Sequence, residues 1–397
     1  MTAARLFVAF FLAVSTALAA SAGGERARID KLIEAGKLDE AVALGRSAVK
    51  ANASDPDLHV AAAKALATKG RSTKRVLDVN VTKKQAGEMV HLGPVDPTGA
   101  RLEVLYDPDL FEEAVLEVGE AIRLAPKRKD LRLQYCYLLT DAGRIERAST
   151  ALLETIATLP HDPKLADELA AFGTERMKRG DATGGVALLR IVAEAFPSAA
   201  KVQADYAMSI ARTGRKPEAL LAIDRAASLA PTDLRIQRMR ATLGLLFREF
   251  DRARSAYEKA ARLSRQESDR LGIAAAIYGK NPRSSEAAFL DLAQPKASAD
   301  PALVAMAEAF SQVVKAGAGS PDALSLADRL KAEGQILLAI PVVSGVLAAR
   351  PRDEKALQLL VTIYNDLGFE KLATQAEQLA KTPSHAPSKA MTKAPAK

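Results

Sequence analysis

The sequence predicts an all-α protein, a right-handed helical-repeat solenoid of antiparallel helix pairs carrying one β-hairpin-like insertion. Small residues recur at intervals of 34: Ala114 and Ala148, then Gly185, Ala219, Ala253 and Ala287, then Ala339 and Ala373. A proline often stands twelve residues after such a position, at Pro126, Pro160, Pro197, Pro231 and Pro351. A period of this length with small residues at fixed offsets marks stacked helix pairs. Composition agrees: 48% of residues are hydrophobic, yet only 5% are aromatic and there is no Trp. Alanine, the best helix former, supplies much of the apolar content, which suits thin helix seams better than a sandwich or barrel core.

Residues 1–22 read as a signal peptide. Arg5 gives the charged start, Leu6 to Ala20 the apolar stretch, and Ala20-Ser21-Ala22 the small residues of a cleavage site. The stretch is shorter than the roughly 20 residues that span a bilayer comfortably, and no cysteine follows it for lipoprotein processing. A periplasmic protein is expected, with an uncleaved membrane anchor as the other reading. Repeats one to seven then fill 23–300, interrupted by an insertion at 71–108. An extra helix and glycine-rich linker take 301–320, repeats eight and nine 321–382. The stretch 383–397 is a basic Ala/Pro/Lys tail without periodicity, expected to be disordered.

Within each repeat every position has a task. The turn glycines are Gly36, Gly70, Gly143, Gly180, Gly214, Gly334 and Gly368, residues that end a helix in a left-handed conformation at little cost. Second helices carry Ala41, Ala114, Ala148, Gly185, Ala219, Ala253, Ala287, Ala339 and Ala373 where helices touch. First helices match them with Ala63, Cys136, Gly173, Ala207, Ala241, Ala275 and Ala327, so Cys136 is expected as a small buried seam residue. As the single cysteine it makes no internal disulfide.

Two spacings break the period. Ala41 to Ala114 spans 73, which exceeds one repeat by 39. Within the surplus, Val76 to Val81 and Leu102 to Tyr106 alternate like strands, and Gly93-Pro94 and Asp96 to Gly99 are turn formers. Two readings stand: a β-hairpin or flap projecting from one edge, or a tolerated loop. Ala287 to Ala339 spans 52, and the extra 18 fit one helix, Pro301 to Lys315, closed by the glycine-rich Ala316 to Ser320. The array is expected to bend or to split into two sub-arrays near 290–320. Pro341 lies inside a second helix, where it is expected to kink the helix or push its start downstream.

This pattern resembles the tetratricopeptide repeat family over most of Arg26 to Thr382. Tyr278 and Tyr364 stand at that family's aromatic position in the first helix, while the tryptophan it often carries there is absent. The resemblance implies that first helices line a concave, partner-binding face. Carried over repeat by repeat, that face holds Asp130, Leu133, Tyr137 and Asp141; then Asp167, Thr174, Met177 and Lys178; then Lys201, Met208 and Arg212; then Arg235, Arg238 and Thr242. Its charge runs from acidic to basic, an arrangement that orients an extended peptide or helix; a solvated helix face with the same signs is the other reading. The family's asparagine clamp for a C-terminal carboxylate is not expected, since Tyr137, Thr174, Met208 and Thr242 stand at its positions.

The net charge of +8 does not point to nucleic acid. Lys381, Lys389, Lys393 and Lys397 carry half of it at the C-terminal end and Arg5 one more, which leaves +3 spread over mixed-sign helices. His59, His91, His161 and His385 lie far apart, without the spacing of a zinc site, and no phosphate loop or nucleophile elbow occurs. No metal, cofactor or catalytic residue is expected. The expected function is a non-catalytic periplasmic scaffold for protein partners of an envelope complex, in a secretion, appendage or motility machine. The alternative is a carrier or chaperone for an exported polysaccharide or unfolded polypeptide.

Overall fold

The computed structural model describes residues 23–77, 100–264, 266–293 and 301–381. The expected signal peptide, the tail at 383–397, the turns around Gly93 and Asp96, His91 and His385 lie outside them. The chain divides into two compact units, Met1–Ile210 and Ala211–Lys397.

The first unit begins with two helix pairs. α1 (Gly23–Glu34) and α2 (Leu38–Ala51) form one; α3 (Pro56–Gly70) and α4 (Pro108–Leu124) form the next. Then come α5 (Lys129–Asp141) with α6 (Ile145–Thr158), and α7 (Pro163–Lys178) with α8 (Ala182–Ala195). α9 (Ala200–Arg212) contains the division at Ile210. Aspartates start several of these helices because a side-chain oxygen can accept an otherwise unpaired backbone N–H. Asp55 accepts from Asp57 N, Asp107 from Leu110 N and Asp162 from Leu165 N, each followed by a proline in the first helical turn. The seam positions are closed: Ala41, Ala114, Ala148 and Cys136 are fully buried.

β1 (Arg71–Leu77) and β2 (Ala100–Tyr106) form an antiparallel hairpin between α3 and α4. β1 starts five residues before the expected Val76, because pairing begins at the root, Arg71 opposite Tyr106. The ladder continues into the helices, where Asp107 N donates to Gly70 O at 2.8 Å. Of the expected alternating run the described strand takes in only Val76 and Leu77, Asp78 to Val81 lying outside the described residues; the polar run Arg71-Ser-Thr-Lys-Arg is joined to β2 by its backbone ladder.

The second unit continues with α10 (Lys216–Leu229), α11 (Leu234–Leu246), α12 (Phe250–Ser264), α13 (Glu267–Lys280) and α14 (Glu286–Ala293). α15 (Pro301–Ala316) packs on α14 and α13, which places 301–316 inside this unit. The division therefore falls inside α9, not near 290–320. α16 (Pro321–Ala332), α17 (Ile336–Ala349), α18 (Glu354–Asp366) and α19 (Glu370–Lys381) complete it. Pro341 does not displace the start of α17, which begins at Ile336. Its missing N–H costs one hydrogen bond in a helix whose residues Leu338 to Leu347 are all buried.

Six of the seven expected turn glycines adopt the left-handed conformation, with φ between 70° and 84°. Gly70 does not, since it passes directly into β1. In the second unit Arg248 (φ 58°) takes the place a glycine holds elsewhere, one full repeat after Gly214.

The last helices do not simply extend the second unit. α17 packs on both α11 and α13, the first helices of two earlier pairs. Tyr364 of α18 donates to Leu246 O at the end of α11, at 2.8 Å. Farther along, Lys371 of α19 stands beside Gly214. The segment α16–α19 thus turns back over the helices that precede it.

Candidate functional site

The first helices of the first unit, α5, α7 and α9, carry the best-defined candidate surface. Tyr137, Thr174 and Met208 occupy the same repeat position on three successive helices, each half-buried, with Leu133 one turn before Tyr137. The small residues Cys136, Gly173 and Ala207 precede them by one position and are buried in the seam. A side chain at Gly173 would meet Leu189 and the backbone of Gly185 within 3 Å, so α7 and α8 can approach only because both lack a Cβ there. Cys136 lies 3.7 Å from Thr155 Oγ1, and burial pushes its thiol up to about 12, the state of an inert packing residue.

Most charges expected on this face are paired within the chain. Asp130 takes Arg128 at 2.5 Å, and Asp167 of α7 takes Lys201 of α9 at 3.2 Å. Lys129 of α5 likewise reaches Glu168 of α7 at 2.5 Å. Part of the acidic-to-basic progression is thus taken up inside the chain, Asp167–Lys201 and Lys129–Glu168 joining neighbouring first helices and Arg128–Asp130 closing the start of α5. Lys178 is exposed at the end of α7.

Two expected surface residues are buried. Met177 is 7% exposed because it lies over Gly185, filling the space a Cβ would occupy. Asp141 is closed off completely, its side chain 0% exposed. Its carboxylate accepts from Arg71 Nε at 3.2 Å, Tyr106 Oη at 2.5 Å and Arg179 Nη1 at 2.6 Å. Burial alone would raise its pKa. The charges of Arg179 and Arg71 and the Tyr106 hydrogen bond outweigh that and hold the carboxyl below its ordinary value. Asp141 therefore bolts both strand ends of the hairpin to the ends of α5 and α7, and it is not offered to a partner. Arg71, Tyr106 and Arg179 carry no motif in the sequence; the one available sign was that Arg71 and Tyr106 bracket the insertion.

His59, buried between α3 and α4, places Nδ1 2.5 Å from Glu117 Oε2 and Nε2 3.0 Å from Ala53 O. It ties α3 to α4 and to the turn that follows α2. His161 Nε2 donates to Ile156 O at 2.9 Å beside the Phe196 ring.

The remaining expected residues lie in the second unit. Arg212 and Arg235 are exposed and Thr242 is half-buried. Arg238 is held by Asp269 at 2.8 Å and also bonds Gln266. Leu245 and Leu246, at the far end of the same helix, are buried. Leu245 packs in one cluster with Phe250, Ala253 and Ala276, against which Leu337 of α17 rests.

Consecutive pairs whose equivalent residues stand one period apart, joined by left-handed glycines and closed by small residues, define the repeat. The fold is that of a tetratricopeptide-repeat array. No family model matches the chain, and no curated protein does. Among solved structures it is similar to YrrB, described as a TPR protein with an unusual peptide-binding site, at 11% identity over 59% of this chain and 97% of that one, TM-score 0.31. It is similar also to MamA (14% identity, 41% and 92% covered, TM-score 0.29) and to PilF of Pseudomonas aeruginosa (16%, 62% and 92%, 0.28).

Proposed function

We propose that the chain is a non-catalytic periplasmic scaffold that holds protein components of an envelope complex on the first-helix face of its first unit. The carrying observation is the half-exposed row Leu133, Tyr137, Thr174 and Met208 on α5, α7 and α9, set among charges that are already paired. On such a surface affinity comes from aromatic and adaptable apolar contacts, and the paired charges supply little free pull. The leader around Arg5 and the Ala20-Ser21-Ala22 sequence support export. A secretion, appendage or motility machine is the setting in which a long repeat surface of this kind gathers several partners.

The test is an affinity pull-down from crosslinked envelope, comparing the wild type with a Tyr137→Ala, Met208→Ala double variant. A few stoichiometric envelope proteins, lost with the variant, are expected. A broad scatter of unfolded chains, or carbohydrate alone, would favour the carrier or chaperone instead.

A further inference from the structure

The second unit carries its own occupant. α17 is buried between α11 and α13, and each end of the returning segment is fitted to a particular place. Gly345 faces the Tyr278 ring so closely that a Cβ there would lie 2.8 Å from Cε1. At the far end stand the Tyr364–Leu246 hydrogen bond and Lys371 beside Gly214. This is a helix seated in a helical groove, a recognition mode in which apolar anchors are read along one face.

Because α17 is buried from Leu338 to Leu347, it cannot leave that seat for water. Only a helix of the same chemistry can replace it with every contact kept. The link between α15 and α16 is short and built to turn: Gly317 is left-handed at φ 93° with open space around it, and Gly319 follows. A change of conformation at these two glycines redirects α16–α19 without touching the seat. We infer that this segment exchanges between two copies of the chain, α17 of each lying on α11 and α13 of the other. The inference does not depend on the partner surface assigned to the first unit. Its consequence is a particle with two first units, so that a partner with two binding segments gains a high effective concentration for the second.

Two single-cysteine chains test this, Gly214→Cys and Lys371→Cys, each full length, differently tagged and made with Cys136→Ala. They are mixed at high concentration, cycled through moderate denaturant, and treated with a short bis-maleimide. Bridging between the two tags is expected, at least tenfold above a control in which the chains are cycled separately and mixed afterwards. A chain lacking residues 317–319, with the turn removed, should run as a dimer by light scattering. No bridge between tags in the cycled mixture would overturn the inference. So would a shortened chain that stays monomeric while unfolding cooperatively, or that forms dimers without a 214–371 bridge.

Discussion

Tyr364 donates its phenolic hydrogen to the backbone carbonyl of Leu246, far earlier in the chain, inside a buried contact. The bond closes the carbonyl end of α11, where helix oxygens lack intrahelical partners, with a side chain from the penultimate helix. Tyr364→Phe keeps the ring and removes only that donor. A buried carbonyl left unpaired costs about 1–3 kcal/mol. Urea unfolding should record a loss of that size, with hydrogen exchange in α18 rising more than in α12.

Gly345→Ala sets two effects against each other. Alanine is favoured over glycine inside a helix by about 1 kcal/mol, while overpacking a closed seam costs about 1–3 kcal/mol. The new methyl group would meet the Tyr278 ring at 2.8 Å, so the clash should win. The variant is expected to melt below the wild type despite its better helix former; a higher melting temperature would show that the ring yields freely.

The Asp141 network gives a pH dependence with a definite sign. The folded carboxyl has a lowered pKa, so its stabilisation is complete above the unfolded value of about 3.9 and disappears as pH falls through the folded value. Breaking a buried pair of this kind costs about 3–5 kcal/mol. Asp141→Asn should therefore destabilise the first unit strongly at pH 7, and the gap to the wild type should narrow on acidification below pH 4. Melting curves at pH 7, 5 and 3 measure it.

Arg248 invites a stabilising change. A side chain in the left-handed conformation costs about 1–2 kcal/mol, and glycine returns part of that gain through its freedom in the unfolded chain, about 0.5–1 kcal/mol. Since Arg248 has φ 58°, Arg248→Gly should raise stability by about 0.5–1 kcal/mol. Differential scanning calorimetry would detect the shift.

Helix pairing was legible because it is local and repeated. A small residue at Ala148 has to face one at Cys136, and this requirement returns with every repeat. The hairpin was legible from β-branched alternation, though its start was not, since Arg71 to Arg75 pair by backbone. The return of α17 onto α11 and α13 leaves no such trace. The pattern around Ala339 describes how α17 meets its own partner helix and is the same whether the pair extends the array or folds back. Asp141 misled for a related reason. Its repeat position belongs to an open face, but its partners Arg71 and Tyr106 come from an insertion the repeat does not describe. Arg248 hid because only its backbone, and not its side chain, fills the glycine's place.

The hydrogen bond from Asp107 N to Gly70 O, at the hairpin's root, bears on how such a chain can change. Chain leaving α3 comes back within bonding distance of where it left, so as long as Arg71 and Tyr106 keep their bonds to Asp141, helices on either side do not register what is carried beyond that pair. The junction is a port for inserted sequence. A reporter or small domain grafted there in frame should leave the stacking of the flanking helices as it stands, whereas the same graft at a left-handed turn such as Gly143, with no ladder to close it, would have to supply its own closure.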